Sequence, residues 1–127
     1  ADLAERYATD TPVETGEVVS LGGSEEITKC MDDKSDAVFG VVSDHPAYLM
    51  NSEAGNNDTH PAIALTGRVP VKVRGTGKAG DRIVSAGSGE ARVAADDEAT
   101  TFNTLGRLIK DKYNEETALT ECVIGVK

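Results

Sequence analysis

The stretch that decides the fold is GRVPVKVRGTGKAGDRIVSAG, Gly67 to Gly87. Gly75, Gly77 and Gly80 fall close together, and Lys78 follows the second of them. Two readings compete: a glycine-rich loop that cradles phosphate, or the turns of a β-structure. A phosphate-binding loop needs Gly, four residues, Gly-Lys and then Ser or Thr. Counting back from Gly77-Lys78, the first glycine would fall on Lys72, and the hydroxyl would fall on Ala79. The helix whose N-terminus holds the phosphate is missing too, since DRIVSAG reads as a strand. VPVKVR alternates, with Val69, Val71 and Val73 on one face and Lys72 and Arg74 on the other. KAGD reads as a turn whose glycine takes positive φ. The stretch is therefore strand, turn, strand. Pro70 cannot donate to a ladder, so the first strand is expected to begin there or to run at an edge.

Outward from this stretch the same grammar continues: short apolar or alternating runs separated by Gly, Asp and Asn turns. Expected strands are Glu17–Leu21, Glu26–Cys30, Ala37–Ser43, Ile63–Gly67, Val69–Arg74, Arg82–Ala86, Ala91–Ala94, Gly106–Lys110 and Thr120–Val126. LGRLIKDKY has helical spacing of Leu105, Leu108, Ile109, Lys112 and Tyr113, but it contains a glycine and is followed by ECVIGV. A hairpin is the reading, with a short helix as its rival. The fold class expected is all-β: a small β-sandwich or barrel built from hairpins.

An internal echo runs through the chain. TGEVVSLGGSEEITKC (Thr15–Cys30) lays over AGDRIVSAGSGEARVA (Ala79–Ala94) without gaps, with Gly16/Gly80, Gly23/Gly87, Ser24/Ser88 and Glu26/Glu90 identical. Each copy is followed by an apolar-Gly-apolar segment, Val38–Val42 and Thr104–Ile109. Two such units would form a pseudo-twofold barrel or sandwich. Chance similarity between hairpins with Gly/Ser turns is the alternative.

Residues 1–15 are polar and read as an extended N-terminal arm lying on a neighbour, followed by a single β-rich domain over 16–127. Asp44–Pro61 is a long central loop, of the kind that is functional or an interface arm. The opening ADLAER fits removal of an initiator Met or a cut from a longer polypeptide.

Composition bounds the function. The 127 residues suffice for one domain with a core, which must be aliphatic because there is no Trp and only two Phe and three Tyr. Net charge is −9, from 22 acidic and 13 basic residues, which argues against a nucleic-acid partner. No apolar run is long enough to span a membrane, and no secretion leader is visible. Cys30 and Cys122 stand apart with no CxxC, so they read as buried free thiols, with a disulfide undecided.

His45 and His60, with Asp44 and Asp58, could meet as a metal site if the central loop closes, but loop-end histidines are more often plain hydrogen-bonding residues. The acidic groups Glu25, Glu26, Asp32 and Asp33, and Asp96, Asp97 and Glu98, read as solvated turns rather than a glycosidase pair. No serine has a GxSxG context. No catalytic, cofactor-binding or metal-binding residue is assigned, and no cofactor is expected.

Three pieces of the chain resemble a module of bacteriophage virion proteins. ADLAERY (Ala1–Tyr7) is similar to its opening, VFGVVSDHPAYLMN (Val38–Asn51) to its middle signature, and ALTGRVPVKVRGTGKAGDRIVSAGSGEARV (Ala64–Val93) to its longest piece. The module occurs at the C-terminal ends of phage tail fibres, tailspikes and neck appendages, and in structural proteins of marine phages. Relatives called peptidase G2 or intramolecular chaperone domains help a trimer assemble and then cut themselves off. The resemblance implies a β-rich, trimeric part of the virion, made in the bacterial host cytoplasm: a tail fibre or appendage tip, or a capsid decoration (cement) protein. A self-cleaving chaperone domain and a host-receptor binding module are the alternatives. No nucleophile carries over to a residue of this chain. The partners implied are copies of the chain and other virion proteins, with edge strands such as Val69–Arg74 covered by them.

Overall fold

A computed structural model describes residues 1–127. It contains ten strands and no helix: β1 (Asp2–Arg6), β2 (Val18–Leu21), β3 (Ile27–Lys29), β4 (Val38–Val42), β5 (Tyr48–Met50), β6 (Ala62–Arg74), β7 (Arg82–Gly87), β8 (Glu90–Val93), β9 (Gly106–Leu108) and β10 (Ala118–Ile124). The fold is all-β. The strands expected from the alternating runs are present, and LGRLIKDKY enters a hairpin, β9 pairing antiparallel with β10 through Leu108 opposite Cys122.

Five strands close into a barrel. β6 pairs with β8, β8 with β7, β7 with β9, β9 with β10, and β10 returns to β6. The remaining strands make a second circuit on the first half of β6. There β1, β6, β4, β2 and β3 pair in turn, and a parallel bridge from Thr9 to Ile27 joins β3 back to the chain just after β1. β6 belongs to both circuits: Ala62–Gly67 serves the first and Gly67–Arg74 the second.

The two circuits repeat one another residue by residue. In the first hairpin Val19 faces Lys29 and Leu21 faces Ile27; in the second Ile83 faces Val93 and Ser85 faces Ala91. Val19 lies opposite Gly40, and Ile83 opposite Gly106. The turns entering the hairpins also match: the Glu17 and Asp81 side chains accept the N–H groups of Glu14 and Lys78, and Gly16 and Gly80 both take positive φ, +86° and +95°. The echo between Thr15–Cys30 and Ala79–Ala94 is thus a structural repeat, and it extends to β1 and the second half of β6. Thr9 bridges Ile27 as Val73 bridges Ala91.

Each circuit is filled by the same positions, Val19, Ile27, Val42 and Ile63 in the first and Ile83, Ala91, Leu108 and Cys122 in the second. The outer face of the first circuit, with Val18, Cys30, Val41 and Ala64, is buried against the second within one larger core. The corresponding positions of the second circuit are Arg82, Ala94, Arg107 and Val123, none of them buried. A twofold relation would bury both faces alike, so the expected pseudo-twofold does not hold at this contact.

Three expectations are corrected. Residues 1–15 are not all an arm: β1 is a core strand between β5 and β6, and Ala4 is fully buried. Small, polar ADLAER hides this, because its inward positions are Asp2 and Ala4 rather than large aliphatics. Val69–Arg74 is not an edge awaiting a partner, since β10 runs along it from Val69 to Val73. Pro70 sits inside β6 at a gap in the ladder on the opposite side. There Arg68 N–H donates to the Ala1 carbonyl and Lys72 N–H to the Gly16 carbonyl, and the missing donor falls between them. Finally, the central loop contains β5, which lies parallel to β1 with Leu3 opposite Tyr48.

Candidate functional site

The backbone donors that a phosphate would need around Lys78 are already engaged. Lys78 N–H donates to Asp81 Oδ2 and Ala79 N–H to Asp111 Oδ1, both at 2.8 Å, and Gly77 N–H donates to the Lys112 carbonyl at 3.0 Å. Carboxylates occupy the place of an anionic ligand, so the segment is a turn closed by its own acids.

The central loop is tied down rather than free. Arg6 Nη1 donates to Asn57 Oδ1 at 2.9 Å and to the His60 carbonyl at 2.7 Å, and Asn51 donates back to the Arg6 carbonyl. Asn56 Oδ1 accepts the N–H groups of Asp58 and Thr59, an Asx turn that shapes the tip. His45 contacts Asp44 at 3.1 Å and is almost wholly exposed, while His60 Nδ1 lies 3.0 Å from Thr59 Oγ1. The structure does not bring the two histidines and their aspartates together, and no three metal-ligating side chains converge anywhere in the chain.

Two carboxylates of the acidic turns, those of Asp33 and Glu98, are tied down by one basic strand residue. Arg92, on β8, forks onto two carboxylates at once: Asp33 at 2.9 and 3.1 Å and Glu98 at 2.7 and 3.0 Å. This clamps the β3–β4 and β8–β9 connections onto the second hairpin. Arg92, with help from the Ala95 N–H, pulls the Glu98 carboxyl down to about 2. It also holds Asp33 below the usual range. Such carboxylates are far from the pKa that suits proton transfer at neutral pH. A second cluster surrounds buried Glu17, with Lys29 and Lys72 each at 3.4 Å and Glu14 at 2.7 Å from Lys72.

Lys112 is the other polar residue that sequence reasoning missed as a site, having been counted only in a helical pattern. It is buried, and its ammonium is surrounded by oxygens: the carbonyls of Gly75 at 2.7 Å, Asn114 at 2.7 Å and Glu116 at 2.6 Å, and Asn114 Oδ1 at 3.1 Å. The caged cation stitches the β9–β10 connection to the end of β6. The carbonyl oxygens that surround it come from the backbone, which residue type does not announce, so the sequence carries no signal that would mark the cage.

What remains for contact with other molecules is surface. Phe102, Tyr48 and Tyr113 are 74%, 66% and 85% exposed. Phe102 is part of the lining of a notch of about 90 Å³ where Val38, Phe39 and Leu65 of the first repeat meet Leu105 and Ile124 of the second. Aromatic side chains at this exposure are the residue types that anchor protein interfaces.

Among known proteins, no family model matches the chain and no curated protein matches it in sequence. The fold does match a solved structure, that of the C-terminal fragment of bacteriophage phi29 gene product 12. The match has a TM-score of 0.66 and 16% sequence identity and covers 99% of this chain and 100% of that one. The chain therefore has the fold of the C-terminal fragment of a bacteriophage protein.

Proposed function

We propose that the chain is a non-enzymatic structural module of a bacteriophage particle. It works as a homo-oligomer, a trimer, at the tip of a tail fibre or appendage or as a decoration (cement) protein on the capsid. The observation that carries this reading is the end-to-end likeness to the phi29 gene product 12 fragment, in which neither chain has a large part left over. Fold likeness alone is an analogy. The polar architecture supports it: the paired acids serve to hold turns, leaving exposed aromatics for contact with neighbours.

Mass spectrometry and immunogold labelling of gradient-purified particles test the reading. Peptides of this chain in the particle fraction, with gold on the surface, are the expected result. Recovery only in the soluble lysate would overturn it. The same spectra separate the placements: a chain continuous with an upstream shaft means a fibre, a free chain on capsids means decoration, and a chain cut from its shaft and absent from particles means a chaperone domain.

A further inference from the structure

The hairpin turns of the two repeats are used differently. The β7–β8 turn of the second repeat folds back onto the first: Val18 N–H donates to the Gly89 carbonyl at 2.7 Å, and Gly89 N–H donates to the Cys30 carbonyl at 2.8 Å. This turn covers Val18, which lies opposite Val41, and both are 0% exposed. The corresponding pair in the second repeat is Arg82 opposite Arg107. No turn covers it. Like charges directly opposed across an antiparallel pair repel. Arg107 gives two N–H groups to the Lys127 carbonyl, and no side-chain carboxylate reaches either guanidinium within ion-pair range. Asp81, Asp96 and Asp97 share a notch with Arg82 without pairing with it. In a chain of net charge −9, two arginines sit where the other repeat is covered.

The turn corresponding to Ser88–Gly89 is Ser24–Glu25, between β2 and β3. Leu21 to Glu26 are all exposed. The turn is held on its own side of the molecule by Asp10, whose carboxylate accepts the Ser24 N–H. The Glu25 carboxylate has no ion pair and no hydrogen bond within the chain. The repeat that sets Gly89 over Val18 would set Glu25 over Arg82.

We propose that the chain associates head to tail with a second copy of itself, the Ser24–Glu25 turn of one copy seated over Arg82 and Arg107 of the next. This rests on the homo-oligomer reading above and gives it a surface. The contact is heterologous, because turn and face are different parts of each copy; three copies closing on themselves make a ring. A charge pair at its centre makes association fall with salt, since screening shortens from about 10 Å at 0.1 M to about 3 Å at 1 M.

Analytical ultracentrifugation of the full chain tests this with Arg82→Glu, Glu25→Lys and the double reversal Glu25→Lys/Arg82→Glu. Both side chains are exposed and make no hydrogen bond, so far-ultraviolet circular-dichroism spectra should match that of the unchanged chain. Each single reversal is expected to weaken self-association about tenfold or more, and the double reversal to restore it. An unchanged chain that stays monomeric at the highest attainable concentration would overturn the proposal. An oligomer that both single reversals leave intact would overturn this surface and leave the oligomer reading standing. Loss in the singles without recovery in the double would overturn the pairing. A monomer would sink the oligomer reading together with this surface, an oligomer indifferent to the reversals would sink the surface alone, and the presence of the chain in particles is read independently of both.

Discussion

Gly40 lies with its bare Cα against the carbonyl oxygen of Ala64, so that a Cβ there would overlap backbone rather than a side chain able to move. The repeat reproduces the contact, with Gly106 against the carbonyl of Val123. Gly40→Ala and Gly106→Ala should each lower stability by roughly 1–3 kcal/mol, the usual cost of overpacking. Gly80 is different: its φ is +95° and the space around it is open, so only backbone strain opposes a side chain. Gly80→Val should cost roughly 1–3 kcal/mol and Gly80→Asn clearly less, because Asn tolerates positive φ. Thermal melts of the four variants check this; an unchanged Gly106→Ala would contradict the packing.

Replacing Lys112 by Ala removes the ammonium together with its stem and leaves the cage of four oxygens vacant. The variant should lose at least about 1–3 kcal/mol, the cost of leaving buried acceptors unsatisfied. Ammonium chloride should restore part of the loss where tetramethylammonium chloride does not, because only the small cation can donate to the vacated oxygens. Equal behaviour in the two salts would mean that the cage does not recognise a cation.

Glu98 carries a pH dependence with a definite sign. Its carboxyl falls from 4.5 to about 2 on folding through the Arg92 contacts, so the contribution is fully present above about 4.5 and is lost as pH drops toward about 2. Asp33 is shifted in the same direction by the same arginine. The melting temperature should therefore fall more steeply through this window in the unchanged chain than in Glu98→Gln. Parallel curves would remove the clamp from the account of acid stability.

Cys30 and Cys122 are both buried free thiols, and burial pushes the Cys122 thiol up to about 12. At pH 8 neither should react with a soluble disulfide reagent until the chain unfolds. Labelling should then report the global unfolding rate. Fast reaction of the native protein at Cys122 would mean that β10 opens locally.

The parts of the fold that were legible in the sequence are those where residue type and backbone demand coincide. Alternating valines marked β6 and glycine-acid pairs marked the turns. The echo of Gly16 and Gly80 revealed the repeat because only such residues fill those φ angles cheaply. β1 was illegible since its buried positions are Asp2 and Ala4, and β5 because three residues inside an Asn- and Asp-rich loop carry too little pattern. Gly67 read as a strand end; at φ +107° it lets one strand turn from the first circuit into the second. The interaction surfaces depended on what the fold leaves uncovered. Arg82 and Arg107 look like ordinary strand residues until their counterparts Val18 and Val41 are seen to be buried.

The continuity of β6 has a mechanical consequence. Because Ala62–Arg74 is a wall of both rings, displacing that one strand breaches both at once. Tension applied at the two ends of the chain would shear β1 and β10 along the same spine. The polypeptide should therefore yield in a single rupture event rather than ring by ring, and a chain nicked within β6 should hold neither ring together.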